Sequence, residues 1–532
     1  MSRLSTTSRR VLWALAAVTI AGFLLRLSRY QESVFGDELS TLYLTDGRSF
    51  TDVISLVSSN AEITPPFSFV LSWLALKLGS APELVRLPSL IAGTLAIPFT
   101  FLLGERLVNR SAGLIAATVM ALSPSMIFYS GDGRGYEVVI LLLLGSTLAM
   151  LEAARGGRTR WWITYAVLSC LAMYTHYTAA FVLAAQLLWV LWAYPGARKA
   201  AILSNVGAAA LFAPWVPSYL KDNDSPTLDI LSALQGKTFA AKRQATEVWA
   251  IGYPFKTPRE VPGTLAAVLG LGGFLAACGA AVQRFRSRPA DLTVAEDPMF
   301  LKNVVLILAL LLATPVLELV VWQLTDNDLY GARNLNTATV GLALLIGTVL
   351  VAAGRRWGAI CAVAVIACFA IGAAKTLDTD TRITDFESGA EYIEDRAQPG
   401  DVVLDMLSPR VTPVPLTSLD AYLPQGLPEF RPLLPEGEPP FIGTSYVPPP
   451  AGEVRKAVRD ANGGRLFLVT SDEGLEADGD EAKTILSFPF IVGSSPPERV
   501  DLPPGSRIVD HVRYPGIGPV NVYVIEIGRQ QE

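Results

Sequence analysis

The chain is 532 residues long, 51% hydrophobic and only 17% charged, with a mean hydropathy of +0.39. Soluble domains carry about a quarter of their residues as charges, so this composition excludes an ordinary soluble enzyme and points to a polytopic membrane protein. The net charge of −5 says little about partners, because the two signs occupy different loops, and no basic stripe with interleaved aromatics suggests nucleic acid. All four cysteines, Cys170, Cys278, Cys361 and Cys368, fall in apolar runs, which argues for small buried hydrophobes and against a disulfide framework or zinc cluster.

In chain order, Arg3, Arg9 and Arg10 precede a first apolar segment at 11–28, read as an uncleaved anchor because no small-residue cleavage site follows. Next comes Val34-Phe35-Gly36-Asp37-Glu38-Leu39-Ser40, which sets two adjacent carboxylates where the chain first meets water. A carboxylate is tolerable at that surface but costs roughly 2.5–3.5 kcal/mol at the bilayer centre even on the lenient insertion scale. Asn60-Ala61-Glu62-Ile63-Thr64-Pro65-Pro66 follows, and then an apolar run, Phe67–Leu78, which suits an interfacial helix better than a span. Further spans are expected at 88–107, 111–129, 136–154, 161–177, 178–194, 200–219, 263–283, 303–323, 336–353 and 357–374.

Arginine-rich loops alternate with acidic ones. Arg106 and Arg110, Arg155 to Arg160, Arg198 and Lys199, Arg284 to Arg288, and Arg355 and Arg356 mark one side. Asp37, Glu38, Glu62, Asp132, Asp222, Asp224, Asp326 and Asp328 mark the other. The positive-inside rule makes the basic side cytoplasmic and closes with about eleven spans, which puts a first loop at 29–87 and the C-terminus outside. The expected division is a transmembrane domain at 1–374 and an extracytoplasmic α/β domain at 375–532. In the latter, Phe386–Arg396 and Glu453–Ala461 read as helices, and Asp401–Met406, Arg465–Thr470 and Val520–Ile527 as strands. The Pro-rich stretch 409–450 reads as loop, and His511 as an ordinary exposed or capping histidine.

The external ends gather polar groups. Ser130-Gly131-Asp132-Gly133-Arg134-Gly135-Tyr136-Glu137 combines three glycines with a guanidinium suited to phosphate. Tyr174-Thr175-His176-Tyr177 and Asp326-Asn327-Asp328-Leu329-Tyr330-Gly331-Ala332-Arg333-Asn334 end on the same side. Plainer readings stand beside these. Asp37 and Glu38 can simply start a helix. Arg134 and Arg333 can snorkel, and Asp132 can shape a turn. Glu62 can be solvated, His176 can be a satisfied interface histidine, and the tyrosines can belong to an aromatic belt. Gly270, Gly272 and Gly273 sit inside a span and read as helix packing, not as a nucleotide loop.

Four elements together resemble the GT-C membrane glycosyltransferases: Asp37-Glu38, Glu62-Ile63-Thr64-Pro65-Pro66, Val85-Arg86-Leu87-Pro88-Ser89-Leu90-Ile91-Ala92-Gly93, and 130–136. Within that superfamily the chain is most similar to glycosyltransferase family 39 and the protein O-mannosyltransferase-like and aminoarabinose-transferase-like proteins. The resemblance covers about residues 10–215, weakens through Arg333-Asn334 and is nearly absent in the tail. Thr64 stands where the family usually has a histidine, and Gly-Asp-Gly precedes Arg134 where bulkier residues are usual. The resemblance implies a GT-C fold and a sugar transferase using a polyprenyl-phosphate donor.

The expected reaction is inverting transfer to a hydroxyl of a glycan, lipid or protein at the outer face. Asp37 is then the candidate base, with Glu38 beside it in the catalytic pair. Glu62, Asp132, Arg134, Tyr136, His176, Tyr177, Arg333 and Asn334 are the candidate substrate-binding residues. No cofactor is required; a divalent cation among the carboxylates is allowed but not demanded. Membrane lipids are the other expected partners. Two other classes stay open: a transporter or flippase, which calls for ionisable residues deep in the spans and an internal repeat, and a non-catalytic envelope assembly protein.

Overall fold

A computed structural model describes residues 9–59, 62–222, 236, 238–287, 298–325, 328–407, 416–423, 429–430, 451–487 and 497–529. Asn60, Ala61, Asp224, Asp326, Asn327 and most of the Pro-rich stretch 409–450 lie outside these residues. The chain divides into two compact units. One contains the residues up to Tyr30, Val53–Ala75 and Arg86–Leu377; the other contains Gln31–Asp52, Leu76–Val85 and residues from Asp378 onward.

The first unit is helical and apolar, as a polytopic membrane protein must be. A helix stands at each expected span, but the lengths differ. Among the described residues, eight helices are long and apolar enough to cross a membrane, or nine if the bent pair Arg110–Leu122 and Pro124–Ser130 counts as one. The count of eleven is therefore reached only by adding Thr159–Met173 and Ala179–Ala193, of 15 residues each. At 1.5 Å per residue these reach only about 22 Å, because the turn at 174–178 interrupts what the hydropathy alone reads as continuous segments. The short helix Phe67–Ala75 continues as a 3-10 turn to Leu78, as expected of a non-crossing segment.

The 60° bend between the Arg110–Leu122 and Pro124–Ser130 helices has a local cause. Pro124 lacks the N–H that would bond the Met120 carbonyl four residues earlier. Arg26, fully buried on the first span, replaces it: Nη2 donates to Met120 O at 2.9 Å and Nη1 to Ala121 O at 3.1 Å. Its Nε also donates to Ser130 Oγ at 2.9 Å, so one side chain pins both halves of the broken helix. Elsewhere the helices meet through small residues. A Cβ on Gly104 would lie 2.6 Å from Gly113 Cα, and one on Gly270 would lie 2.6 Å from Cys368 Cβ. Gly270 thus serves packing, as does Gly273, where a Cβ would lie 2.8 Å from Ala364 Cβ, whereas one on Gly272 would meet nothing within 4 Å.

In the second unit the described residues of the tail form one sheet of eight strands. They are β1 Val402–Asp405, β2 Glu429–Phe430, β3 Arg465–Thr470, β4 Leu475–Asp478, β5 Glu481–Ser487, β6 Glu498–Asp501, β7 Arg507–Tyr514 and β8 Val520–Glu526. The order is β2-β1-β3-β8-β7-β5-β4, with β6 on β5. β1 runs parallel to β2 and β3, and the remaining pairs are antiparallel. Strand alternation separates two cores. Val402, Leu404, Leu466 and Leu468 pack with Val454 and Val458 of the Ala451–Asp460 helix, while Val403, Phe467 and Val469 pack with Phe386 and Ile393 of the Phe386–Arg396 helix. His511 is exposed, as expected: it stacks on Tyr523 at 4.0 Å, and its Nε2 bonds Asn521 Oδ1 at 2.9 Å.

Candidate active site

The first unit contains most of the candidate residues, on the turns that follow the Pro124–Ser130 and Thr159–Met173 helices and precede Thr339. Arg134 and Glu62 form a buried fork-to-fork pair: Nη1 donates to Oε2 at 2.8 Å and Nη2 to Oε1 at 3.0 Å. Nη2 also donates to Thr64 Oγ1 at 2.9 Å, so the threonine in the place of a histidine supplies a third acceptor. Glu62 Oε1 in turn accepts from the amides of Ile63 and Thr64, at 3.0 and 3.1 Å, and the guanidinium lies 5.4 Å over the Phe69 ring. A bidentate, charge-assisted arrangement of this kind fixes both segments. It joins the start of the Phe67–Ala75 helix to the 130–136 loop.

The glycines of that loop are needed for close approach. A Cβ on Gly131 would sit 2.3 Å from Arg29 Cγ, and one on Gly135 would sit 2.9 Å from Thr175 Cγ2. Asp132 is half-buried in the same loop, its amide donating to Tyr129 O at 3.4 Å. The Arg-Leu-Pro-Ser element supports the loop from beneath. Buried Arg86 donates to the Tyr30 carbonyl at 2.9 Å, and Ser89 Oγ donates to the Arg134 carbonyl at 2.8 Å. Glu137, one residue after Tyr136, is fully buried in the span beside Ser130 and Gly93.

Tyr136 lays its ring between Tyr129, at 5.0 Å, and His176, at 5.5 Å. His176 occupies the turn between two helices, and its Nδ1 accepts from the Thr178 amide at 3.3 Å and lies 2.8 Å from Thr178 Oγ1. That acceptor role assigns the ring proton to Nε2. Burial, reinforced by the nearby guanidiniums of Arg134 and Arg333, pushes the imidazole down to about 3, so His176 is a neutral donor at physiological pH. Beside it, Tyr177 donates to Asp222 Oδ2 at 2.7 Å and accepts from Trp215 Nε1 at 3.1 Å. The turn is tied to the Pro-Pro segment by the Phe67 amide, which donates to Tyr174 O at 2.9 Å.

Arg333 and Asn334 begin a short 3-10 turn, and Asn334 Nδ2 donates to Leu329 O at 2.6 Å. The loop is anchored by a feature that sequence reading missed. Between the expected spans 200–219 and 263–283 lies the helix Phe239–Ile251. Its buried Lys242 pairs with buried Asp328, with Trp322 5.0 Å from the ammonium, while Thr246 Oγ1 bonds Tyr330 Oη at 2.8 Å. Glu318, buried in the preceding span, lies close to both Lys242 and Asp328.

Asp37 and Glu38 belong to the second unit. They open the helix Asp37–Thr45, after Gly36 at φ +57°. Asp37 is exposed, whereas Glu38 is buried and its Oε2 accepts from the Phe35 amide at 3.2 Å, bracing the turn that presents Asp37. The preceding residues are held by the tail: Tyr422 Oη accepts from the Val34 amide at 2.7 Å and donates to Glu83 Oε1 at 2.5 Å, and the Glu387 amide donates to Ser33 Oγ at 3.0 Å. Among the described residues, no group of three or more His, Cys, Asp or Glu is arranged to hold a metal ion.

Residues 64–217 match the family model described as dolichyl-phosphate-mannose-protein mannosyltransferase. The match covers under a third of the chain and includes Arg134, Tyr136, His176 and Tyr177. No curated protein matches. Solved structures that resemble the chain include the oligosaccharyltransferase AglB from Archaeoglobus fulgidus in complex with an inhibitory peptide and a dolichol-phosphate. That similarity has 14% identity, 74% of this chain, 58% of AglB and a TM-score of 0.43. ArnT from Cupriavidus metallidurans bound to undecaprenyl phosphate resembles it at 12% identity over 96% of this chain and 97% of ArnT, with a TM-score of 0.40. The chain thus spans little more than half the length of the first. It is a multi-pass membrane protein that resembles the GT-C glycosyltransferases, with a match to a GT-C family model in its first half.

Proposed function

We propose that the chain is an inverting glycosyltransferase that moves a sugar from a polyprenyl-phosphate donor to an acceptor hydroxyl at the outer face of the cytoplasmic membrane. The family match over residues 64–217, which contains Arg134, Tyr136, His176 and Tyr177, carries this reading. In the proposed reaction the acceptor oxygen attacks the anomeric carbon, its proton passes to the Asp37 carboxylate, and the sugar–phosphate bond breaks toward polyprenyl phosphate. The leaving phosphate is a weak base, so it calls for charge stabilisation in place of a strong general acid. Arg333 and Arg134 supply positive charge, and the Nε2–H of neutral His176 supplies a hydrogen bond that needs no protonation change. Glu62 orients Arg134, while Asp132, Tyr136, Tyr177 and Asn334 line the sugar and acceptor side. Asp37 meets a base's need for solvent contact, and buried Glu38 keeps its turn in place.

A transport reading draws on the ionisable residues within spans, Arg26, Glu137 and Glu318. Arg26 already has a structural task at the bent helix. The test is release of polyprenyl phosphate by the purified protein in lipid, supplied with a panel of labelled polyprenyl-phosphate sugars and a cell-envelope extract. Release from one donor, abolished in Asp37→Asn, is the expected outcome and names the sugar. Release unaffected by Asp37→Asn removes it as base, and no release from any donor refutes the enzyme reading.

A further inference from the structure

A groove of about 960 Å³ opens between the helices Thr159–Met173 and Arg198–Phe212; the candidate site residues are not among those lining it, and its upper end reaches Leu211, whose carbonyl accepts from Tyr174 Oη at 3.1 Å. Its wall is formed by Trp162, Ala166, Ala200, Gly207, Ala210 and Leu211, and its lower end by Gly157 and the Pro195–Ala197 turn. Small residues on both helices, Ala166, Ala200, Gly207 and Ala210, leave a slot, and the exposed apolar side chains of Ile163 and Leu203 beside it suit contact with lipid. A Cβ on Gly207 would meet no heavy atom within 4 Å.

Charge distinguishes the two ends of this slot. From Ala153 to Lys221 the sequence contains no Asp or Glu. Five cations cluster at the lower end: Arg155, Arg158, Arg160, Arg198 and Lys199, all exposed. Among the described residues none of the five pairs with a carboxylate, and the nearest acid in sequence, Glu152, is taken by Arg106 at 2.9 Å. Arg155 Nε reaches Tyr194 Oη on the groove wall at 3.4 Å, which holds it at the mouth; Arg198 directly follows the lining residue Ala197, and its Nε bonds the Leu191 carbonyl at 2.8 Å. Lys302 joins them, donating to Ala193 O at 2.9 Å.

We propose that this groove is a binding site for an anionic glycerophospholipid, with one acyl chain along the Trp162–Gly207 slot and its phosphate on Arg158 and Arg198. Basic pockets between membrane helices recognise anionic headgroups by this combination, and guanidiniums match phosphate oxygens as a fork. A polyprenyl-phosphate donor is also anionic, so position and not charge separates the two. Under the proposed reaction its phosphate belongs at the opposite ends of these helices, beyond Tyr174, about 22 Å along a 15-residue helix.

Native mass spectrometry of the delipidated full chain, titrated separately with phosphatidylglycerol, phosphatidylcholine and undecaprenyl phosphate, tests the site. The expected result is a single phosphatidylglycerol adduct, about tenfold tighter than phosphatidylcholine. The preference falls away in Arg158→Gln/Arg198→Gln, and the adduct is lost in Gly207→Trp. The open space at Gly207 lets that variant fold, which an unchanged melting curve verifies. Equal binding of the two phospholipids, or an adduct indifferent to Gly207→Trp, overturns the proposal. So does an undecaprenyl-phosphate adduct lost in Gly207→Trp, which would make the slot the donor's, or a doubled protein mass lost in that variant, which would make it a contact between two copies.

Discussion

Replacing Glu62 by Met strands a guanidinium whose exposure is only 9%, against 5% for the carboxylate itself. At 2.8 Å and an effective dielectric of about 20, the Coulomb attraction of such a pair is roughly 6 kcal/mol. Desolvation takes back much of it, so the informative quantity is the cost of breaking the pair from one side, about 3–5 kcal/mol. Glu62→Met and Arg134→Met should each lose that much, while the double variant Glu62→Met/Arg134→Met loses less than either. The double-mutant cycle then gives a coupling free energy of at least about 3 kcal/mol. Denaturation in mixed micelles followed by tryptophan fluorescence provides the four stabilities. Losses below about 1 kcal/mol that simply add would mean the pair behaves as an exposed one, and would refute the idea that it clamps the loop. Donor affinity in a further variant, Glu62→Gln, separates two roles for Arg134. Tighter binding in Glu62→Gln means that the guanidinium exchanges its carboxylate for phosphate; unchanged binding means that it serves the loop alone.

Two further predictions concern the supports of the site. Gly131→Ala places a methyl 2.3 Å from Arg29 Cγ, and overpacking of that kind costs about 1–3 kcal/mol; a melting temperature equal to wild type would show that the loop has slack. Tyr422→Phe removes the hydroxyl shared by the Val34 amide and the Glu83 carboxylate, and hydrogen bonds to charged groups contribute about 1.5–3 kcal/mol. The Val34 amide should then exchange with solvent about 10–100 times faster, without a change in exchange across the membrane helices. Equal exchange in the variant would show that the tail does not hold this segment.

Helices were legible where hydropathy alone decides the outcome. The eleven positions emerged because bilayer burial imposes the same apolar signal on each, but the turn at 174–178 left no hydropathic gap, so two short helices read as full spans. In the tail, Val402–Asp405, Arg465–Thr470 and Val520–Glu526 were legible because both faces are buried. β7 escaped notice because most of its residues are exposed and its register shifts between Ile508 and Asp510. The same divide runs through the site. Arg134, His176 and Arg333 stood out as polar groups at span ends. Lys242 did not, since it lies on a weakly apolar helix whose value depends on a carboxylate 86 residues away. Glu38 reads as Asp37's twin, yet only the backbone at Gly36 decides that one carboxylate faces solvent and the other turns inward.

Because the Asp37 segment folds with the tail, its structure has a history. The Val34 amide waits for a hydroxyl 388 residues later, and Ser33 for an amide 354 residues later. At a synthesis rate of about 5–20 residues per second, that interval is roughly 20–80 s, during which the helices of the first unit can already be inserted. A nascent chain therefore holds its proposed base on an unfinished loop until residues 387–422 have emerged. A chain stopped after Lys375 should insert normally yet leave residues 31–36 open to protease; protection in that shortened chain would show that the loop completes itself without the tail.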